Sequence, residues 1–268
     1  MLAVRPPAVA GLFYPAEPHA LARMVDGFLA AGSTLDAARP DGSQAAPKAL
    51  VVPHAGYVYS GAIAGLAYAT LAPVRERIER VVLLGPCHRV PVRGLALPGC
   101  RAMATPLGEV PVDADAASGL DHVVTRPDVH ASEHSLEVQL PFLQRALGDC
   151  AVVPLAVGDA TAAEVAGVLG ALWGGDETLI VVSSDLSHYR PYVEARAIDQ
   201  GTIEAVLSLR QPLSHDRACG ATPLNGLLAA SPAHHLAPVL LGACNSGDTA
   251  GDKGRVVGYA SFGFLEAA

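Results

Sequence analysis

Four short apolar runs constrain this chain more than any other feature, because each is followed at once by reactive polar side chains. They read LVVPHAGYVYSG from Leu50, VVLLGPCHRV from Val81, LIVVSSDLSHY from Leu179 and PVLLGACNSGD from Pro238. A strand with one wet face alternates apolar and polar residues, whereas an unbroken run is buried on both faces, as in a parallel sheet covered by helices. The strands expected on this ground are residues 49–53, 81–85, 152–157, 179–183 and 238–242, with a more alternating run, 255–265, closing the chain. Helical patterns fall between them at 20–31, 61–71, 135–147 (with Pro141 expected to bend it), 161–173, 193–209 and 223–230. Alternation of strand and helix predicts an α/β fold, with residues 1–268 forming a single domain around a central, mostly parallel sheet flanked by helices. Two stretches, 32–47 and 89–113, read as loops, neither long nor biased enough to be an interdomain linker.

Composition narrows the function classes. Of 268 residues, 51% are hydrophobic and 16% charged, which excludes a disordered chain and supports a large core. The formal net charge of −8, with no local run of Lys or Arg, argues against nucleic acid as a partner. Five cysteines (Cys87, Cys100, Cys150, Cys219 and Cys244) lack any C-x-x-C pairing and fit a reducing compartment better than a disulfide framework. The N-terminal residues lack the apolar core of a secretory leader, and no stretch of membrane-spanning length is free of Gly, Pro or charge. The expected location is cytoplasmic, with no membrane association.

In an open α/β sheet, ligands bind outside the carboxyl ends of the strands. That rule gathers His54, His88, Asp185, His188 and Cys244 at one edge. Taken singly, His54 and His88 could each be turn residues bonded to local backbone; the shared topological position favours a ligand role. In SSDLSHY, Asp185 and His188 are spaced to meet if a helical turn begins there, although Ser183, Ser184 or Asp185 could simply cap it. His188 is then the candidate acid/base or a third nitrogen ligand. Cys244 could be a buried apolar thiol; backbone N–H groups of its Gly-rich turn would instead favour thiolate. Two imidazoles and a thiolate suit zinc, copper or iron rather than magnesium or calcium. In SEHSLEVQL, Glu133, His134 and Glu137 read as first-turn charges, with support of a metal ligand as the sharper option.

Beyond these readings, the motifs RPPAVAGLFYP, VPHAGYVYSG, LLGPCH, SEHSLEVQLPF, SSDLSHY, CGATPL and GDKGRVVGYASFGF, in that order over nearly the whole chain, resemble those of the Memo family, which includes AmmeMemoRadiSam system protein B. The resemblance implies a fold related to class III extradiol (LigB-type) dioxygenases, in which two histidines and a carboxylate hold non-haem Fe(II). By that resemblance His54, His88 and Cys244 stand at metal positions, Asp185 and His188 line the same pocket, and His188 acts as acid/base. Cys244 departs from the dioxygenase carboxylate, and a thiolate changes metal preference and is itself oxidisable. Eukaryotic relatives are associated with copper or iron binding, redox activity and motility signalling, but nothing in this sequence marks a signalling partner. The family's genomic name implies a radical SAM protein as a partner.

Two functions follow as expectations. The first is a metal-binding (iron or copper) redox or oxygenase-like protein, a non-haem oxidoreductase in which His188, steered by Asp185, moves the proton. The second is a non-catalytic binding or accessory module whose cleft takes a peptide, a small molecule or the radical SAM partner. A zinc hydrolase ranks last, since no H-E-x-x-H helix is present.

Overall fold

The apolar runs 49–53, 81–85, 152–157 and 179–183 lie side by side at the centre of a nine-stranded sheet in the computed structural model, which describes residues 4–36 and 46–266, while the run 238–242 lies in its edge strand. In chain order the strands are β1 (Ala49–Val52), β2 (Arg80–Pro86), β3 (Leu95–Leu97), β4 (Ala102–Thr105), β5 (Gly108–Pro111), β6 (Val123–Thr125), β7 (Ala151–Val157), β8 (Thr178–Ser183), β9 (His188–Arg190), β10 (Leu236–Asn245) and β11 (Val256–Glu266). The helices are α1 (Pro18–Asp36), α2 (Tyr57–Ala69), α3 (Pro127–Ala131), α4 (Leu140–Ala146), α5 (Ala162–Ala171), α6 (Tyr192–Leu207) and α7 (Ala221–Ala230). The sheet order is β10-β11-β1-β8-β2-β7-β3-β6, with β9 paired to β11 and β4-β5 forming a separate ribbon. The four strands β1, β8, β2 and β7 run parallel, so their carboxyl ends open on one edge. Antiparallel pairs flank them: β11 returns beside β1, and β3 beside β7.

The central strands β1, β2, β7 and β8 have no polar face because both faces are covered, whereas the edge strand β10, expected to be buried on both faces, is largely half-buried, with Leu240 41% exposed. Leu50, Val52, Val81, Leu83 and Val181 pack with α1, α2 and α4 through Leu21, Val25, Tyr68 and Phe142. The alternate residues Val51, Val82, Leu84, Ile180 and Val182 pack with α5, α6 and α7 through Val165, Leu169, Val206 and Leu224. Period-two side-chain alternation thus feeds two apolar layers from one unbroken sequence run. Helix α5 opens with a capping box, Thr161 Oγ1 accepting from Glu164 N–H while the Glu164 carboxylate accepts from Thr161 N–H.

Two local expectations change. The stretch 89–113 is no plain loop: it contains β3, β4 and β5, too short and too Pro/Gly-punctuated to register as periodic runs. Pro141 does not bend a long helix; it sits in the first turn of α4, where its missing N–H costs nothing, and Glu137–Gln139 forms a separate 3-10 turn. Within the expected loop 32–47, residues 32–36 end α1 and residues 37–45 lie outside the described residues.

A buried ion pair ties the N-terminal segment to that turn. Arg5 Nη1 donates to Glu137 Oε2 at 2.7 Å, while Arg5 Nε and Nη2 donate to the carbonyls of His130 and Glu133. The Glu137 carboxylate also accepts from Ala8 N–H, Val9 N–H and the Tyr14 hydroxyl. Glu137 is thus a buried hub rather than a first-turn charge. Replacing Glu137 by Ala strands the Arg5 guanidinium in the interior, and urea denaturation should record a loss of about 3–5 kcal/mol.

Candidate metal centre

Each site residue takes its place from the end of an element. His54 lies two residues beyond β1, His88 two beyond β2 and Asp185 two beyond β8, while His188 opens β9. His134 comes from the turn between α3 and the Glu137–Gln139 turn, and Cys219 from the turn entering α7. All six line one cavity of about 1440 Å³. One ring nitrogen each from His54, His88 and His134 lies within 4.8 Å of the others. The rings pack closely, with His88 stacked on His134 at a centroid distance of 4.7 Å and His54 edge-on to both.

Hydrogen bonds determine what the rings present. The Glu133 carboxylate accepts from His88 N–H at 2.6 Å and from His88 Nδ1 at 2.9 Å, so Nδ1 carries the proton and Nε2 keeps its lone pair. Burial opposes ionisation of Glu133, but bonds from the His88 ring, His88 N–H and Ser135 N–H outweigh it and bring the group down to about 2. His54 is buried, and burial followed by the neighbouring His134 and His88 rings holds it well below the usual imidazole range. Burial likewise lowers His134 to about 4. His134 Nδ1 lies 3.3 Å from Glu133 Oε1, yet out of line for a hydrogen bond, and remains buried without a partner. Neutral, lone-pair-bearing imidazoles are the form in which histidine binds metals.

Beside them, Cys219 Sγ lies 3.1 Å from His54 Nε2 and accepts from Asp185 N–H at 3.3 Å. Burial, and then the Asp185 carboxylate, keep the thiol above its ordinary range. A cation would have to displace its proton before the sulfur could bind. His188 Nδ1 lies 2.8 Å from the Leu186 carbonyl, which can only accept, so its Nε2 is the basic nitrogen.

Of the residues expected at this edge, His54, His88, Asp185 and His188 meet here and Cys244 does not. Although β10 runs parallel to β1, β11 lies between them, with Cys244 paired opposite Tyr259. Two strand spacings, about 10 Å, separate Cys244 from the β1 line, and Tyr259 rather than Cys244 lines the cavity. Nor is the Cys244 thiol poised as thiolate: burial, and then Asp248, raise it to about 11. The pairing of Asp185 with His188 also differs. The chain after β8 enters β9 without a helical turn, so Asp185 Oδ1 accepts from His54 N–H instead, at 2.7 Å. Cys219 and His134 join the cavity from turns before helices rather than from strand ends, so His134 is a member of the imidazole cluster and not only a first-turn charge or support for a ligand. The available signals were CGATPL for Cys219 and SEHSLEVQL for His134.

A family profile described as Memo-like protein matches residues 5–263. Among curated relatives, a MEMO1 family protein of Aquifex aeolicus is 36% identical, covering 98% of this chain and 99% of its own. Those of Archaeoglobus fulgidus and Ignicoccus hospitalis are 35% and 37% identical, each covering 97% of this chain, and 99% and 98% of their own lengths.

Asp185 gives the site a pH signature. Burial raises it from 3.8 to about 7, so the folded chain holds a proton that the unfolded chain releases. The associated stability is fully present below about pH 4 and is lost as pH rises through about 7. Denaturation curves should therefore find wild type losing stability relative to Asp185→Asn across that window. Parallel pH profiles for the two proteins would contradict the assignment.

Proposed function

Since the chain belongs to the Memo family, we propose that it is a metal-binding redox protein that uses iron or copper. His54, His88 and His134 are its nitrogen donors, and Cys219 is the sulfur within reach. The observation carrying this reading is the convergence of three imidazoles, one with a buried nitrogen that lacks a partner. Nitrogen donors with an adjacent thiol fit iron, copper or zinc and disfavour magnesium or calcium. A redox-active ion held there would supply electron transfer and Lewis acidity.

The remaining roles belong to the protein. Glu133 orients His88 through its ring and backbone N–H, as a carboxylate behind a metal-binding histidine does. His188 is lowered by burial and neutral near pH 7, with Nδ1–H committed to Leu186; its Nε2 accepts a proton from a ligand in the cavity. Asp185 fixes the turn that carries His54 rather than steering His188.

A second reading, a binding or accessory module, draws on the rim. Leu12 and Val58, next to the cavity-lining Phe13 and Tyr59, are 80% and 60% exposed, and Tyr189 is 62% exposed. Exposed apolar side chains beside a cavity larger than most small-ligand sites, whose mouth also carries Arg89, Arg190, Arg255, Asp159 and Asp252, suit a peptide or protein partner, a radical SAM protein among them. Ligand binding that survives metal removal and the His54→Ala change would favour this module.

Elemental analysis of anaerobically purified protein tests the metal reading. Wild type and Cys244→Ala should carry stoichiometric iron or copper, and His54→Ala and His88→Ala should lose it. Glu133→Gln should bind about 10–100-fold more weakly. Full metal retention in His54→Ala would overturn the reading.

A further inference from the structure

We propose that Ser183 is a positioning residue that locks His54 in its Nδ1–H tautomer, so that the Nε2 lone pair always faces the cavity. The assignment follows from a buried chain of hydrogen bonds whose polarity two backbone carbonyls dictate. Gln139 Nε2 lies 3.0 Å from the Pro53 carbonyl and 2.8 Å from Ser183 Oγ, while Gln139 Oε1 lies 2.9 Å from the Tyr68 hydroxyl. A carbonyl can only accept, so the amide edge facing Pro53 is the NH₂ group, which leaves Oε1 to accept from Tyr68. One of the two amide protons goes to Pro53 and the other to Ser183.

Ser183 has a single proton to give, and it lies 2.6 Å from the Ser135 carbonyl, a second group that can only accept. Its hydroxyl therefore donates to Ser135 and accepts from Gln139. The remaining contact, 3.0 Å to His54 Nδ1, must be one in which the ring is the donor. His54 Nε2 is left as an acceptor, facing the Cys219 thiol at 3.1 Å. Tyr68, Gln139, Ser183, Ser135 and His54 are all buried, so reversing any one bond would orphan a buried polar group. An imidazole free in water favours the opposite, Nε2–H form. The network thus works against the ring's own preference, much as Glu133 does for His88. The tautomer stands on these bonds alone; its value for metal capture rests on the metal reading above.

The test uses metal-free, full-length protein with ¹⁵N-labelled histidine rings and long-range proton–nitrogen correlation spectra at neutral pH. In wild type, His54 should have a protonated, pyrrole-type Nδ1 and a pyridine-type Nε2. Ser183→Ala should shift His54 toward the Nε2–H form while the His88 pattern, held by Glu133, stays unchanged and certifies the folded site. Ser183→Thr, which keeps a hydroxyl, should restore the wild-type pattern. Titration with Co(II) should find Ser183→Ala about 10–100-fold weaker than wild type. An Nε2–H form of His54 in wild type would overturn the proposal even if the Ser183→Ala chain failed to fold. So would a Ser183→Ala protein that keeps a pure Nδ1–H ring. A wild type with the Nδ1–H pattern that binds no Co(II) would instead sink the metal reading and leave the tautomer assignment standing.

Discussion

The buried ion pair between Arg5 and Glu137 fixes the segment on which the site depends. Glu137 collects Arg5, two backbone N–H groups and the Tyr14 hydroxyl, while Arg5 reaches past it to the carbonyls of His130 and Glu133. The stretch from His130 to Gln139 has little regular structure, and this clasp supplies what a helix would otherwise provide. Three of its residues act on the cavity: Glu133 orients His88, His134 joins the imidazole cluster, and Gln139 aligns Ser183 beneath His54. A charge pair outside the cavity lining therefore holds in place the segment that carries these side chains.

Burial sorts the ionisable groups around the cavity by their hydrogen-bond supply. Glu133 receives N–H donors from His88, His134 and Ser135 and stays ionised although it is buried. Asp185 has backbone donors from His54 and Ala55, too few to offset its desolvation, and titrates near 7. For His54 and His134 burial outweighs the pull of the Glu133 carboxylate and holds both rings below the usual imidazole range. Burial set against hydrogen-bond supply thus yields an anion behind His88, a proton-holding acid at the turn, and two rings, His54 and His134, that resist protonation.

The core of this architecture was legible in the sequence, because a strand buried on both faces writes itself as an unbroken apolar run. The ends of those runs located His54, His88, Asp185 and His188. Cys244 went wrong for a topological reason: a run of apolar residues does not reveal its neighbour in the sheet, and β11 returns between β10 and β1. Cys219 was hidden because turns have no period, and for the same reason His134 was legible only as a first-turn charge or as support for a ligand. The same holds for β3 to β5, whose three or four residues apiece are too few to establish alternation.

The parallel pairing of β1 with β8 has a kinetic consequence. Ala49 lies opposite Ile180, and Cys219, entering still later in the chain, closes against His54. Contacts between such distant residues form only after a large loss of chain entropy, and they are the slow steps of folding. The ligand set is complete only once four separate stretches of sequence have met. An ion taken up by the finished pocket would bind the native state alone and shift the equilibrium away from unfolded chains.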